Sequence, residues 1–514
     1  MPQAVRVQPT ASPAVLLFGS AEVHVSADGL SARLVRGDQL VAELGWVGAA
    51  PASVELIADD EVEHVLSSGG ARLLQRVTVA ETWRTRWVLV RDHGGAQAVD
   101  ERLRVQPGPE YTLWSWATGV TAVLVVAPAH GAGPVLCLRL EQGHLELIAP
   151  EPGRSAAEFR IAAEGTLLGT GERLVTVVEA GWQPDLAAVE ARLPAWLGET
   201  QLDHGCPWRA EVADFGISAP PDVELTFSEG AVLLDGPPGR RLIEVHTPRG
   251  LSRVPVEWVP PTEQVLHQVA VAALDSARPL SAAAALCIQR AAERHAVWLE
   301  AGAHDRLDRF DWARDDSIFA PAFALARGRS EGEAAVVSDG LRLLATRPAG
   351  VGFGRLAMAG WLASLSVGLD ARERCLELLG RPAVGRTAAL ESSLLHYRSV
   401  DFGQSELAGV YNRLGGNLPG RAPLLSWTEL ASLVGLLELC PPEWPGALDH
   451  AQTAEKARGQ ILCAYLDGEI TDPEPLAWLL FTPELVAAGR VDACAHSWWA
   501  GSAHRRVAAI RGVA

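Results

Sequence analysis

Alternation of apolar and polar residues with a period of two runs from Ala14 to about Trp182, and it constrains this chain more than any other feature. It is plain in Ala21-Glu22-Val23-His24-Val25, in Arg72 to Val79 and in Trp83 to Val90. Successive side chains of a strand point to opposite faces, so such runs bury one face and leave the other polar. Asp28-Gly29, Gly69-Gly70 and Gly94-Gly95 punctuate the runs where tight turns need residues tolerant of positive φ. Residues 1–182 are therefore expected to form an antiparallel β-sandwich.

The pattern breaks over 183–200. There Leu186, Val189, Leu193 and Trp196 recur at helical spacing and predict a short linking helix. Alternation resumes in Val223 to Phe227, Arg241 to Val245 and Val254 to Trp258, which reads as a small second β module over 201–259. It stops at Pro260-Pro261. Val265, Leu266, Val269 and Ala272 then open a helical stripe, and Ser281 is a fitting N-cap for the next helix. Short helices separated by Gly and Pro are expected to continue to the C-terminus, the last two over 475–488 and 491–509. No fixed repeat of solenoid length appears, so the helical half, 260–514, is expected to resemble an α/α toroid, with an irregular bundle as the other arrangement. The fold class is multidomain, β then α.

Charge narrows the function. The chain of 514 residues carries a formal charge of −18, and Lys456 is its only lysine. Nucleic acid and anionic membrane both need a cationic footprint, and no basic run supplies one. Polyanionic substrates are disfavoured on the same ground, unless a local arginine cluster overrides the net charge. Seven cysteines lie far apart with no Cys-x-x-Cys pair, which reads as reduced thiols without a zinc site. No apolar run is long enough to span a membrane and the N-terminus lacks a secretory pattern, so a cytoplasmic location is expected. No dinucleotide, P-loop or nucleophile-elbow motif stands in a strand–turn–helix setting, and no cofactor is expected.

The segment from His304 to Phe319 is the most unusual, with five aspartates and three arginines interleaved with aromatic residues. Pro321 fits best in a first helical turn, which places the Arg-Asp pair in the loop entering that helix. Asp and Arg offer bidentate acceptors and donors to sugar hydroxyls, and a Trp face packs on a pyranose ring. The same residues could equally form a solvated salt-bridge network. The run Phe310, Trp312, Arg314, Asp315, followed by Ile318 and Phe319, resembles the aromatic-x-Trp-x-Arg-Asp segment of the glucoamylase-like, or six-hairpin, glycosidases. The resemblance implies that Arg314 and Asp315 grip sugar hydroxyls, that Trp312 forms the pocket wall beside Phe310, and that the acid and base come from later helices.

Glu391, in Leu390-Glu391-Ser392-Ser393, and Glu429, in Ser426-Trp427-Thr428-Glu429, are the candidate catalytic acids, with Asp311 as an opposing carboxylate. Inverting hydrolysis needs two carboxyl groups about 6.5–9.5 Å apart. Glu429 also fits the capping box Ser-x-x-Glu, and Glu391 also fits a solvated helix face. The chain departs from the family in its shorter helical half and in lacking a later Glu-Glu pair. His396-Tyr397-Arg398 and Tyr411-Asn412-Arg413 hold residue types used by polysaccharide lyases, but polyanionic substrates and a helix-first domain order count against that reading. The expected function is a glycoside hydrolase acting on a neutral oligosaccharide by an inverting acid/base mechanism. The alternatives are a non-catalytic relative that binds sugar or serves as a scaffold, and a structural module, which would show an exposed apolar groove.

Overall fold

The strand Ala71–Val79 buries alternate residues along its whole length, as its sequence pattern requires. The computed structural model describes residues 14–481, apart from 59, 69–70, 149–153, 198, 212–215, 229, 295–301, 397–399 and 442–443. The helix expected over 491–509 and the second half of that expected over 475–488 lie outside the described residues, as do Tyr397 and Arg398.

Two antiparallel sheets face each other. One runs in the order Ala50–Ala58, Glu61–Ser68, Ala71–Val79, Trp83–Val90, Arg173–Gln183, Val135–Gln142, Ala122–Pro128 and Tyr111–Gly119. The other runs Ala14–Phe18, Ala21–Val25, Ser31–Arg36, Gln39–Val47, Arg102–Pro107, Ala157–Arg160 and Leu145–Leu147. Leu16, Val23, Leu34 and Val41 of the second sheet meet Leu73, Val77, Trp83, Trp87 and Leu136 of the first in one core. The end of Tyr111–Gly119 pairs with both Leu145–Leu147 and Gly250–Val259, and so joins the sheets at one edge.

Residues 201–259 divide between two sheets. The hairpin Gly239–Thr247 with Gly250–Val259 continues the large sheet through the Gly119–Ser252 pairing. Trp208–Glu211, Ala231–Asp235 and Glu224–Ser228 make a small three-stranded sheet of their own. Both pieces share a core with Trp114, Trp116 and Val125, formed around Trp208, Leu234, Ile243 and Trp258. The linking helix is Leu186–Glu190, with Leu186 and Val189 buried and the Asp185 side chain accepting the Ala188 N–H as its N-cap.

Helices begin directly after Pro261 with Thr262–Asp275 and Ala282–Arg294, and the Ser281 hydroxyl accepts the Ala284 N–H. They continue as Gly302–Asp308, Phe319–Glu331, Ala334–Ala345, Phe353–Ser366, Arg372–Leu379, Arg386–His396, Val400–Arg413, Trp427–Glu438, Ala447–Leu466 and Glu474–Leu479. Most consecutive helices pack as neighbours, and Glu474–Leu479 packs on both Trp427–Glu438 and Ala282–Arg294. Phe323, Leu341, Leu356, Leu390, Leu430 and Leu462 centre their shared core. Among the described residues no helix is long and apolar enough to cross a membrane, and no cluster of His, Cys, Asp and Glu is suited to a metal ion. Among the described residues Cys137, Cys206, Cys287, Cys375, Cys440 and Cys463 form no disulfide.

Candidate functional site

The Asp-Arg turn lies on the helical region and is bound up with its own neighbours. Phe310 packs edge-on against Phe323 at 5.4 Å, and Trp312 leans on the helical core. Arg314 pairs with Asp311 at 3.0 Å, with 88 and 53 % of the side chains exposed. Asp315 accepts the Ala282 N–H at 3.1 Å and the Ser317 N–H at 2.8 Å, so it caps the helix Ala282–Arg294 together with Ser281. Arg347 clamps the turn from outside, bonding the Asp316 carboxylate and the Asp315 carbonyl.

The two candidate acids also have structural tasks. Glu391 is 1 % exposed and accepts the Gly352 N–H at 2.7 Å, the Arg355 N–H at 2.9 Å and Arg355 Nε at 3.1 Å. Glu429 closes a capping box: Ser426 Oγ accepts its N–H at 3.2 Å and its carboxylate accepts the Ser426 N–H at 3.0 Å. Of the residues weighed for elimination chemistry, Asn412 donates to the Pro128 carbonyl at 3.0 Å. Burial pushes the Tyr411 hydroxyl up to about 12 and the Arg413 guanidinium below the ordinary arginine value.

A cavity of about 580 Å³ opens elsewhere, where the β-rich and helical regions meet. Its walls follow from strand periodicity. On Gly250–Val259 the residues Val254, Val256 and Trp258 point into the core, which leaves Arg253, Pro255 and Glu257 on the opposite face. Arg240 and Leu242 stand directly across from Glu257 and Pro255 on the neighbouring strand and share that face. The helix Ala447–Leu466 covers it with Lys456 and Gln460, one helical turn apart. The end of Tyr111–Gly119, Glu146, Gln201 and the loop Pro419-Gly420-Arg421 complete the lining, with Asp467 and Glu469 at one side.

The loop lies where only glycine allows. Gly415, Gly416 and Gly420 have φ of 75°, 54° and 114°. A Cβ on Gly420 would come within 2.5 Å of the Ser115 carbonyl, and one on Gly415 within 2.0 Å of the Trp114 ring. This close approach lets Ser115 and Arg421 exchange backbone hydrogen bonds in an antiparallel bridge, which presents Arg421 at the cavity.

Charges around the cavity are unevenly matched. Arg240 pairs with Glu257 at 2.9 Å and with Glu469 at 2.7 Å, while its N–H donates to Asp467. Gln201 Nε2 spans the two regions, donating to Glu257 at 2.8 Å and to the Lys456 carbonyl at 2.9 Å. Arg253 reaches Glu146 at 3.5 Å. Lys456 donates from Nζ to the carbonyls of Gly416 and Leu418 at 2.5 and 2.6 Å, and desolvation pushes its ammonium down to about 7. Burial, reinforced by the nearby positive charge of Arg240, likewise holds Arg421 below the ordinary arginine value. Three buried polar atoms of lining residues have no hydrogen-bond partner among the described residues, Ser115 Oγ, Trp116 Nε1 and Thr118 Oγ1, while Glu146 Oε2 lies 3.6 Å from His144 Nε2. Buried polar groups are normally paired, so these atoms retain hydrogen-bonding capacity, Ser115 on one face of its strand and Trp116 and Thr118 on the other.

The fold is similar to that of a solved polysaccharide lyase, with a TM-score of 0.52 over 89 % of this chain and 82 % of the other. Sequence identity is 10 %, so the likeness is one of fold. A glycoside hydrolase family 81 structure from Clostridium thermocellum overlaps 93 % of this chain and 70 % of its own at 11 % identity, with a TM-score of 0.22. An Escherichia coli K12 protein described as an aldose 1-epimerase overlaps 34 % of this chain and 99 % of its own at 10 % identity, with a TM-score of 0.25. No protein-family model matches the sequence, and no curated protein sequence matches it either.

None of the seven residues singled out from the sequence lines this cavity. The signals that could have found it are the lone lysine, the Gly-Gly and Pro-Gly-Arg steps around it, and an outer strand face carrying Arg253 and Glu257.

Proposed function

We propose that the chain is a carbohydrate-active protein that takes a saccharide into the cleft between its β-rich and helical regions. The cleft itself carries the reading. It has the size of a small-molecule site and sets guanidinium, carboxylate and amide groups around a partly apolar wall. Saccharides need that density of donors and acceptors. The solved lyase with this fold acts, by its name, on polysaccharide, which agrees with the reading.

Hydrolysis by an inverting acid/base pair is the finer form of the proposal, supported by the carboxylates of Glu146, Glu257, Asp467 and Glu469 along the lining. Glu257 and Glu469 are ion-paired with Arg240, which favours binding as their first task. The turn bearing Trp312, Arg314 and Asp315 is the competing location.

The deciding experiment measures saccharide binding and turnover in five variants. Leu242 lines the cleft and is 52 % exposed, so Leu242→Trp narrows the cavity without disturbing a core. We expect it to weaken binding about tenfold or more with an unchanged melting temperature. Asp311→Ala and Arg314→Ala should bind as the wild type does. A loss confined to those two variants would move the site to the turn. If Glu257→Gln and Glu469→Gln bind saccharide but lose turnover, the hydrolase form is supported; no turnover in the wild type across neutral and acidic substrates removes it.

A further inference from the structure

Among the described residues Arg421 and Lys456 are the cations of the cleft without an ion-paired acid, and Lys456 is already taken up by two backbone carbonyls. Among the described residues the Arg421 guanidinium has neither an ion-pair nor a hydrogen-bond partner, although its backbone is fixed on both sides by Ser115. The two acids close enough to influence it, Glu257 and Glu469, are already paired with Arg240. Arg421 is half-buried, and an arginine partly withdrawn from water without a counter-charge is stabilised when an anion supplies one. The lining carries four cationic side chains, Arg240, Arg253, Arg421 and Lys456, against four carboxylates, so it is balanced in a chain that is strongly acidic as a whole.

A second observation points the same way. Ser115 is 2 % exposed and its Oγ has no partner. Residues directly opposed in an antiparallel pair project to the same face, so the Ser115 hydroxyl and the Arg421 side chain start from one side of their bridge. A guanidinium and a hydroxyl donor side by side match the geometry of an oxyanion, which accepts two or more hydrogen bonds at once. We infer that Arg421 and Ser115 form a receptor for an oxyanion group, a carboxylate or a sulfate ester, carried by the saccharide that the cleft takes. The inference rests on the carbohydrate reading above and replaces a neutral ligand with an acidic one. Lys456 serves it as a positioning residue: by holding the Gly416 and Leu418 carbonyls it fixes the loop from which Arg421 extends.

The test is calorimetric titration of the full chain at low salt with a β-1,4-linked glucuronate tetrasaccharide, cellotetraose and a sulfated cellotetraose. The first two differ only at C6. We expect the wild type to prefer at least one acidic ligand over cellotetraose by about tenfold or more, and Arg421→Gln to abolish that preference while Arg421→Lys retains part of it. The acidic ligand that binds tells carboxylate from sulfate ester. Equal wild-type affinity for acidic and neutral ligands, or a preference that survives in Arg421→Gln, overturns the oxyanion receptor and leaves the carbohydrate reading standing. Absence of binding by all three saccharides counts against the carbohydrate reading instead. Thermal stabilisation by sulfate and acetate then decides the receptor: raised melting temperature in the wild type but not in Arg421→Gln supports it, and equal shifts in both overturn it. Should Arg421→Gln fail to fold, Ser115→Ala takes its place, with a reduced acidic preference expected and an undiminished one overturning the assignment.

Discussion

Glu391 and Glu429 show how differently two glutamates on helices can be used. Glu391 is sealed in the core with Arg355, its carboxylate taking three hydrogen bonds. Breaking such a pair from one side leaves an uncompensated buried charge, so Glu391→Gln should lower unfolding stability by about 3 kcal/mol. Glu429→Ala removes only a capping interaction and should cost about 1 kcal/mol, with saccharide affinity and any turnover unchanged. Denaturant titration of both variants checks the contrast, and loss of turnover at normal stability in Glu429→Ala would return it to the chemistry. Lys456 makes a pH prediction. Its folded value, about 7, lies below the ordinary lysine value of 10.5. The unfolded chain therefore holds more protons between those limits, and stability rises with pH across that window. Relative to Lys456→Met, the wild type should gain about 2–3 kcal/mol between pH 6 and pH 9. A difference that stays flat would mean that the ammonium keeps its proton throughout.

Among the elements, the glycine loop 415–421 places the greatest demand on sequence. Gly420 combines a φ of 114° with a Ser115 carbonyl only 2.5 Å from where a Cβ would sit. Gly420→Ala should destabilise by about 2 kcal/mol or more and weaken ligand binding, because it lifts the loop that carries Arg421. Normal melting and normal affinity in that variant would show that the loop has slack. The same elements show what the sequence made legible. Alternation placed Val254, Val256 and Trp258 inward, and Ser281 marked the start of its helix. Periodicity states which residues share a face but is silent on what covers that face, so Arg253 and Glu257 read as solvent-facing until the helix Ala447–Leu466 lay over them. The pairing of Arg314 with Asp311, and the capping role of Asp315, depend on side-chain partners that a residue string does not specify. The loop escaped notice because a glycine's purpose appears only with the neighbour it lets approach, here Trp114 and Ser115.

For the molecule as a whole, the junction between the strands and the helices is a bonded surface. Arg240 reaches Glu469 and Asp467, Gln201 reaches the Lys456 carbonyl, and Asn412 reaches the Pro128 carbonyl. Regions tied this way should unfold together. Tryptophan fluorescence, which samples both regions, and helical circular dichroism, which samples the second, should give coincident denaturant transitions in the wild type. Arg240→Ala, which strands Glu257 at 7 % exposure, should shift both to lower denaturant by about 3 kcal/mol. Separated transitions in the wild type would contradict the coupling. One consequence of the lone lysine concerns the entire chain. Apart from the α-amino terminus, its only primary amine sits at the wall of the cleft. Reductive methylation with isotopically labelled formaldehyde therefore places a single side-chain reporter at that wall, and occupancy can be followed from one resonance in a protein of this size without any engineered tag.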